Sequence, residues 1–222
     1  MRILGLDEAG RGSVLGPLVV GGFVWEGEEQ ALLRAAGADD SKALSHARRL
    51  EIRARLADMG RGVVRAIQAT AIDNGNVNRL EEEAFFDLVR AERPDRVYLD
   101  APVHPAGIPR LRERLVTRSG VADWIVECKA DSTWPVVGAA SIFAKVARDA
   151  AIAELEVVTL RDGHGPIGSG YPSDPVTRAF LSRRLAATDP LPAFVRTRWA
   201  TLDILRQQAL FGGPGPDPLQ DR

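Results

Sequence analysis

The acidic residues best placed for chemistry lie where three apolar, strand-like runs end. Asp7 and Glu8 close the first run, Asp100 closes the second, and Asp131 stands just past the third. In open α/β sheets, ligand sites gather at the carboxyl ends of the strands, so these four side chains are expected to converge. A single acid at a strand end is more often a turn residue or a helix cap. Agreement between three strand ends favours a shared site.

Converging carboxylates repel one another and raise one another's pKa unless positive charge compensates them. Ligand sets made only of oxygen select Mg²⁺ or Mn²⁺ over Zn²⁺. Four carboxylates suffice to hold two such ions about 4 Å apart, the arrangement that serves in-line displacement at a phosphodiester. The sequence therefore predicts phosphoryl chemistry as the leading class, with Asp7, Glu8, Asp100 and Asp131 as the candidate catalytic metal ligands.

The loop that follows the first acids carries groups suited to a phosphate or a sugar. It reads AGRGSVLGP over residues 9–17. Gly10 and Gly12 permit close approach of backbone amides to a ligand, and Arg11 offers a charge-assisted contact. The glycine spacing matches neither a P-loop nor the dinucleotide-binding fingerprint, so those two nucleotide-binding sites are excluded.

Two other segments offer polar or aromatic groups. Ser41 and Lys42 precede a predicted helix; they either present a hydroxyl and an ammonium group to a backbone phosphate or form the capping segment, and both interpretations stay open. Tyr171 lies in the rigid turn GSGYPSDP (residues 168–175). It is suited to stacking on a base or sugar, although a lone tyrosine in such a loop is mostly structural.

The elements that must position these residues follow from the hydrophobic periodicity. Strands are predicted over residues 2–6, 18–25, 62–71, 96–99 and 123–128. Helices are predicted over residues 28–36, 45–59, 77–91, 109–116, 141–156, 175–186 and 197–209. The alternation of strands and helices indicates an α/β layer. We expect a catalytic core over residues 1–160, a C-terminal helical region over 161–211 that completes the substrate groove, and a disordered tail over 212–222.

Composition excludes several classes of protein. The chain has 222 residues, 29 basic and 30 acidic side chains, one cysteine and three histidines. The net charge of −1 carries no global signal for nucleic acid, so that hypothesis rests on local chemistry. Cys128 has no partner for an internal disulfide, and zinc-site spacings are absent. Because no apolar run reaches ~18 residues, no signal peptide or membrane span is expected, and a cytoplasmic location is predicted.

Taken together, these segments resemble the type 2 ribonuclease H family, ribonuclease HII. The matching motifs, in the order of the family, are GLDEAGRG (5–12), DSKAL (40–44), VYLD (97–100), KAD (129–131) followed by AASIFAKVARD (139–149), and GSGYPSDP (168–175). The resemblance spans roughly residues 3–205. The turn at 168–175 and the later FVRTRW (194–199) are most similar to archaeal and eukaryotic catalytic chains. Ser13 departs from the family, which often has proline there.

The resemblance implies a ribonuclease H-like fold, a five-stranded mixed sheet flanked by helices with a C-terminal helical region. It implies a metal-dependent endonuclease that cuts the RNA strand of RNA–DNA hybrids and incises 5′ to ribonucleotides embedded in duplex DNA, leaving 3′-hydroxyl and 5′-phosphate ends, with roles in ribonucleotide removal and RNA primer processing. Asp7, Glu8, Asp100 and Asp131 match the catalytic acids. The substrate-binding residues implied are Gly10, Arg11, Gly12, Ser41, Lys42, Lys129 and Tyr171, with the glycine loop sensing the ribose 2′-hydroxyl.

Two alternatives stay open at this stage. A metal-dependent DNA nuclease on the same fold would cut an all-DNA duplex as well, and a non-catalytic hybrid-binding module would bind without cutting. We expect a monomer. A sliding clamp is a weakly supported further partner through residues 207–211 (QQALF), which lack the usual second aromatic residue of a clamp-binding motif.

Overall fold

The computed structural model describes residues 1–27, 29–38, 44–187 and 189–211. These residues contain a five-stranded sheet with the strand order β3-β2-β1-β4-β5. The strands are β1 (Arg2–Ala9), β2 (Leu18–Glu26), β3 (Arg61–Ile67), β4 (Arg96–Asp100) and β5 (Asp123–Glu127). β1 is antiparallel to β2 and parallel to β4, and β4 is parallel to β5. The sheet is therefore mixed, which confirms the predicted fold class.

Helices flank the sheet and make up the C-terminal part of the chain. They are α1 (Ala31–Ala35), α2 (His46–Met59), α3 (Ala69–Asn74), α4 (Val77–Glu92), α5 (Ile108–Ser119), α6 (Ala130–Thr133), α7 (Pro135–Arg161), α8 (Pro175–Ala186) and α9 (Ala200–Phe211). Two of them begin at side-chain caps. The Ser45 side chain accepts a hydrogen bond from the amide of Arg48, and the Asp174 side chain accepts one from the amide of Val176. None of the helices in the described ranges combines the length and apolarity that crossing a membrane requires.

Two predicted elements have clearly different bounds in the structure, and two short helices were not predicted. The strand predicted over 62–71 ends at Ile67, and Ala69 begins the unpredicted helix α3, because the short helix has no long apolar period to reveal it. The four-residue α6 was also missed. The helix predicted over 141–156 runs from Pro135 to Arg161, since its small apolar residues bury on more than one side and weaken the periodic pattern. The tail over 212–222 lies outside the described residues.

The described chain forms two compact units. The first comprises residues 1–9, 19–67 and 77–147, and the second comprises 10–18, 68–76 and the described residues from 148 onward. The chain passes from one to the other within α7. The division of the sequence at residue 160 stays a prediction.

The first unit has an apolar core on each face of the sheet. Successive residues of a strand point to opposite faces, so Ile3 packs with α2 and α7 while Leu4 and Leu6 pack with α4 and α5. Gly5 faces α7 at close range, because a Cβ atom there would overlap the backbone carbonyl of Val136. α7 therefore lies directly on β1, on the face that also carries Asp7.

The second unit has its own apolar core. Val14 and Leu15 of the glycine loop pack with Phe180, Val195 and Leu202. Leu15 and Val195 also form an isolated antiparallel bridge. The glycine loop is thus anchored within this unit.

Candidate active site

Two acids of the site are brought together by the register of the sheet. In the parallel pair β1 and β4, Leu6 lies beside Leu99. The next residue of each strand is acidic, and Asp7 and Asp100 therefore stand side by side at the carboxyl edge. The positions follow from strand pairing alone and need no special loop.

The third acid comes from the short helix after β5. Lys129 adopts a left-handed backbone conformation, with φ 58°, and this turns the chain so that α6 begins at Ala130. The Ala130 amide donates to a carboxylate oxygen of Asp100 at 3.0 Å, which fixes α6 against β4. Asp131 follows directly. Carboxylate oxygens of Asp7, Asp100 and Asp131 all lie within 4.8 Å of one another.

The site is buried as well as acidic. Asp7 is 5% exposed and Asp131 is 1% exposed. Burial raises the pKa of Asp7, and together with the smaller effect of the charges of Asp100 and Asp131 it brings that pKa to about 7. A hydrogen bond with Ser141 of α7 and the Glu8 amide, which donates to Asp7 at 2.8 Å, favour the ionised form and oppose the increase. Ionising all three acids without a cation is therefore unfavourable.

The three residues fit a hard divalent cation. They offer only carboxylate oxygens, the donor type that Mg²⁺ and Mn²⁺ prefer, and a cation would favour the ionised form of Asp7, whose pKa is raised mainly by burial. Asp7, Asp100 and Asp131 are thus the residues that would hold the metal.

Glu8, the fourth predicted ligand, is not part of the group of three acids. Within the described part of the chain, the acids that meet in this way number three, and Glu8 is not among them. It is the neighbour of Asp7 in β1, and adjacent residues of a strand point to opposite faces. Its role as a ligand stays a prediction.

The predicted glycine loop and the Tyr171 turn are hydrogen-bonded to each other in the second unit. The amides of Val14 and Leu15 donate to the carbonyl of Gly170 at 2.8 and 3.2 Å. The Gly170 amide in turn donates to the Thr177 hydroxyl at the start of α8. The glycine loop and the Tyr171 turn are far apart in the sequence, and these hydrogen bonds hold them together.

The glycines of the motif GLDEAGRG meet different demands. Gly10 has φ +81°, and a Cβ atom on it would approach the Pro17 carbonyl oxygen to 2.8 Å, so the fold itself requires glycine there. Gly12 is exposed, and a Cβ atom on it would meet nothing within 4 Å. Packing within the protein therefore does not explain the second glycine of the loop.

The sequence and the fold of this chain are similar to those of known proteins. The sequence model of the family described as "Ribonuclease HII" matches residues 4–202. The chain belongs to the ribonuclease HII family. It is 39% identical over 214 residues to a ribonuclease HII of the archaeon Methanothermobacter thermautotrophicus, with 93% of this chain and 100% of that protein covered. As a member of this family it is a type 2 ribonuclease H, a hydrolase that acts as a nuclease on RNA–DNA hybrids.

Solved ribonuclease HII structures share the fold. The ribonuclease H2 of Pyrococcus horikoshii superimposes with a TM-score of 0.81 at 34% identity, covering 95% of this chain and 100% of that one. The ribonuclease HII in a structure of the PCNA:RNase HII complex of Archaeoglobus fulgidus gives a TM-score of 0.79 at 36% identity, with the same coverage. The predicted family and ribonuclease H-like fold are confirmed.

Four residues of this ribonuclease HII that the sequence does not mark as functional make notable contacts, Ser141 in the first unit and Ser13, Arg148 and Arg196 in the second. Ser141 bonds Asp7, and the Ser13 hydroxyl donates to the Gly10 carbonyl at 2.8 Å. The guanidinium of Arg148 lies over the Tyr171 ring at 4.7 Å from its centre, and Arg196 is fully buried. Both arginines lie in matched motifs, but arginine is mostly exposed in proteins, so the sequence gives no signal that these two are inside.

For the other predicted substrate-binding residues, the structure gives the solvent exposure and the unit of each one that it describes. Lys129 is exposed in the first unit and Tyr171 is half-buried in the second. Arg11 is half-buried beside Gly12. Ser41 and Lys42 lie outside the described residues.

The unusual pKa of Asp7 predicts how stability depends on pH. Because the folded-state pKa of about 7 exceeds the ordinary 3.8, the folded protein retains a proton that the unfolded chain has already released. The stability from this group is full below pH 3.8 and is lost as the pH rises through 7. Without divalent cations, we expect the free energy of unfolding of the wild type to fall by about 2 kcal/mol more than that of Asp7→Asn between pH 5.5 and pH 8.

Urea denaturation in the presence of EDTA measures this difference. Asp87→Asn is the control, because Asp87 is an exposed acid that pairs with Arg90 at 2.8 Å outside the site, and it should keep the wild-type slope. Adding Mg²⁺ at pH 8 should stabilise the wild type and the control but not Asp7→Asn. Parallel pH profiles for the wild type and Asp7→Asn would contradict the assignment.

Proposed function

We propose that this ribonuclease HII is a metal-dependent endonuclease that cuts the RNA strand of RNA–DNA hybrids and incises 5′ to ribonucleotides embedded in duplex DNA, leaving 3′-hydroxyl and 5′-phosphate ends. The observation that carries the proposal is the meeting of Asp7, Asp100 and Asp131 within 4.8 Å in a buried site. Ribonucleotide removal from DNA and RNA primer processing are the roles that such an activity serves.

In this proposal the acidic residues bind metal ions, and they do not act as bases that abstract protons. Asp7, Asp100 and Asp131 gather negative charge that two Mg²⁺ or Mn²⁺ ions would neutralise, and Glu8 is proposed as the fourth ligand. When bound, such ions lower the pKa of a water and neutralise the charge that develops on the leaving oxygen. The Ser141 side chain and the Glu8 amide hydrogen-bond the Asp7 carboxylate and favour its ionised form against the effect of burial, and the Ala130 amide donates to Asp100 and orients its carboxylate.

Substrate recognition falls to residues outside the acid cluster. Gly10, Arg11 and Gly12 would contact the ribose 2′-hydroxyl, the group that distinguishes RNA from DNA. Tyr171 would pack at the junction between RNA and DNA, and the guanidinium of Arg148 lies against its ring. Lys129, Ser41 and Lys42 would contact backbone phosphates, where cationic and hydroxyl side chains position nucleic acid without reading its sequence.

Removing one ligand charge tests the catalytic assignment. We expect Asp100→Asn and Asp131→Asn to lower cleavage of a duplex with one embedded ribonucleotide by about a thousandfold, because metal-ion stabilisation is worth several kcal/mol and each 1.4 kcal/mol is tenfold in rate. Asp87→Asn is the matched control. The assay includes an all-DNA duplex and a long hybrid, and folding is checked by circular dichroism.

Each alternative has its own outcome in that assay. Near-normal cleavage by either variant would remove that residue from the site. Cleavage of the all-DNA duplex by the wild type would favour the DNA nuclease, and binding without cleavage at any metal concentration would favour the hybrid-binding module.

The open space beside Gly12 generates a second expectation. We expect Gly12→Ala to change the free energy of unfolding by no more than about 0.5 kcal/mol, as at an ordinary surface site, since the new methyl group meets no protein atom within 4 Å. The same methyl group occupies the approach to the ribose, so kcat/KM on the ribonucleotide duplex should fall at least tenfold, by about 1.4 kcal/mol.

Gly107→Ala is the control for this substitution, because its Cβ atom would meet Val103 only at an ordinary 3.6 Å. It should retain both stability and activity. Full activity of Gly12→Ala would show that the substrate does not approach this amide.

We also propose that a sliding clamp is a partner of this chain. The support is the related ribonuclease HII whose structure is described as a complex with PCNA, together with the sequence QQALF at residues 207–211. Deleting residues 207–222 should abolish retention of the purified protein on an immobilised sliding clamp while leaving the cleavage rate on a short duplex unchanged. Equal retention of both forms would exclude this segment.

A further inference from the structure

A buried arginine holds the glycine loop from inside the second unit. Arg196 lies between α8 and α9 and is 0% exposed. Its guanidinium donates to the carbonyl of Arg11 at 3.0 Å and to that of Gly16 at 3.1 Å. Its backbone amide donates to the carbonyl of Val14 at 2.9 Å. One residue therefore fixes three carbonyl groups of the loop.

This arrangement is costly for the fold. Burial, with a smaller contribution from the positive charge of Arg148, lowers the pKa of Arg196 to about 10, so the group still carries its charge at neutral pH. The Trp199 ring, 5.1 Å from the guanidinium, offsets part of the cost. One guanidinium nitrogen of Arg196 is buried without a hydrogen-bond partner. A well-packed apolar side chain is often at least as stable as a buried charge, so stability alone is a weak reason for this arginine.

The bond to Arg11 has a geometric consequence for the next residue. The Arg11–Gly12 peptide is trans, and in a planar trans peptide the C=O and N–H bonds point in opposite directions. Because the Arg11 carbonyl points to Arg196, the Gly12 amide points away from it. Gly12 is exposed, and a Cβ atom built on it would meet no protein atom within 4 Å.

The preceding peptide is held in the same way. The Gly10 carbonyl accepts hydrogen bonds from the Ser13 hydroxyl at 2.8 Å and from the Ser13 amide at 3.3 Å. The Arg11 amide therefore points away from Ser13. Two successive carbonyls of the loop are turned inward by buried donors, and two successive amides are turned the other way.

We propose that Arg196 is a positioning residue for ribonucleotide recognition: by holding the Arg11 carbonyl, it orients the Gly12 amide as a hydrogen-bond donor to the 2′-hydroxyl of the substrate. The inference rests on the proposed function, since it requires that the glycine loop contacts the ribose. Arg196 itself does not touch the substrate and acts only through the Arg11–Gly12 peptide.

The test compares affinities rather than rates. Arg196→Lys keeps the charge but loses the planar fork that reaches two carbonyls at once. Dissociation constants are measured for a duplex with one ribonucleotide and for the same duplex in DNA, with Ca²⁺ as the cation to prevent cleavage. We expect the preference for the ribonucleotide duplex to fall about fivefold in Arg196→Lys, the worth of one hydrogen bond, with unchanged affinity for the all-DNA duplex.

Arg184→Lys is the matched control for a structural effect. Arg184 is also a buried arginine of the second unit, and it donates to the carbonyl of Pro190 at 3.2 Å, away from the glycine loop. Both variants should lose thermal stability, but Arg184→Lys should keep the wild-type preference. An unchanged preference in a folded Arg196→Lys would overturn the proposal. A wild type with no preference for the ribonucleotide duplex would instead count against the proposed function.

A measurement on the wild type keeps the proposal testable if Arg196→Lys does not fold. A hydrogen bond from the Gly12 amide to the ribose polarises the Arg11–Gly12 peptide and thereby strengthens the bond from Arg196 to the Arg11 carbonyl. The ¹⁵N NMR signals of the Arg196 guanidinium should therefore shift more on binding the ribonucleotide duplex than on binding the all-DNA duplex. Equal shifts with both duplexes would overturn it.

Discussion

The mutual repulsion of three clustered carboxylates is the constraint on which the site depends. Asp7, Asp100 and Asp131 stand within 4.8 Å of one another, and water is largely excluded from two of them. The protein holds them there because strand pairing leaves no other position: Leu6 beside Leu99 sets Asp7 beside Asp100, and the amide of Ala130 holds α6 to Asp100. The first unit thus gathers three carboxylates at one point, an arrangement that a divalent cation would stabilise.

The second unit is built around the opposite charge. Arg148 and Arg196 are both buried, and burial lowers the pKa of each. Their guanidinium groups are not paired with a carboxylate at hydrogen-bond distance in the described structure; they lie against the rings of Tyr171 and Trp199, and Arg196 donates to loop carbonyls. These buried cations therefore shape backbone and aromatic surfaces. Moving the Arg196 guanidinium away from these carbonyls would leave more of its buried donors without hydrogen bonds, so the contacts resist displacement.

The motif GLDEAGRG joins these two uses of charge in eight residues. Gly5 allows α7 to lie on β1, Asp7 supplies the carboxylate, and Gly10 provides the left-handed turn that leaves the strand. Gly12 is different, since the protein around it leaves the space for a side chain open. A single short motif therefore contains residues required by packing and by backbone conformation, one carboxylate of the acid cluster, and one glycine that packing within the described protein does not explain.

The sequence by itself determined the sheet, most of the helices and the acids at the strand ends, because apolar periodicity and strand-end position are local properties of the chain. It also carried the family through five motifs in order. It failed where local signals are weak, as in α3 after Ile67 and in the full length of α7. Only the tertiary structure decided that carboxylate oxygens of Asp7, Asp100 and Asp131 lie within 4.8 Å of one another, and that Arg148 and Arg196 are buried. Burial and proximity depend on which elements pack together, and a side chain's own sequence neighbours do not record that.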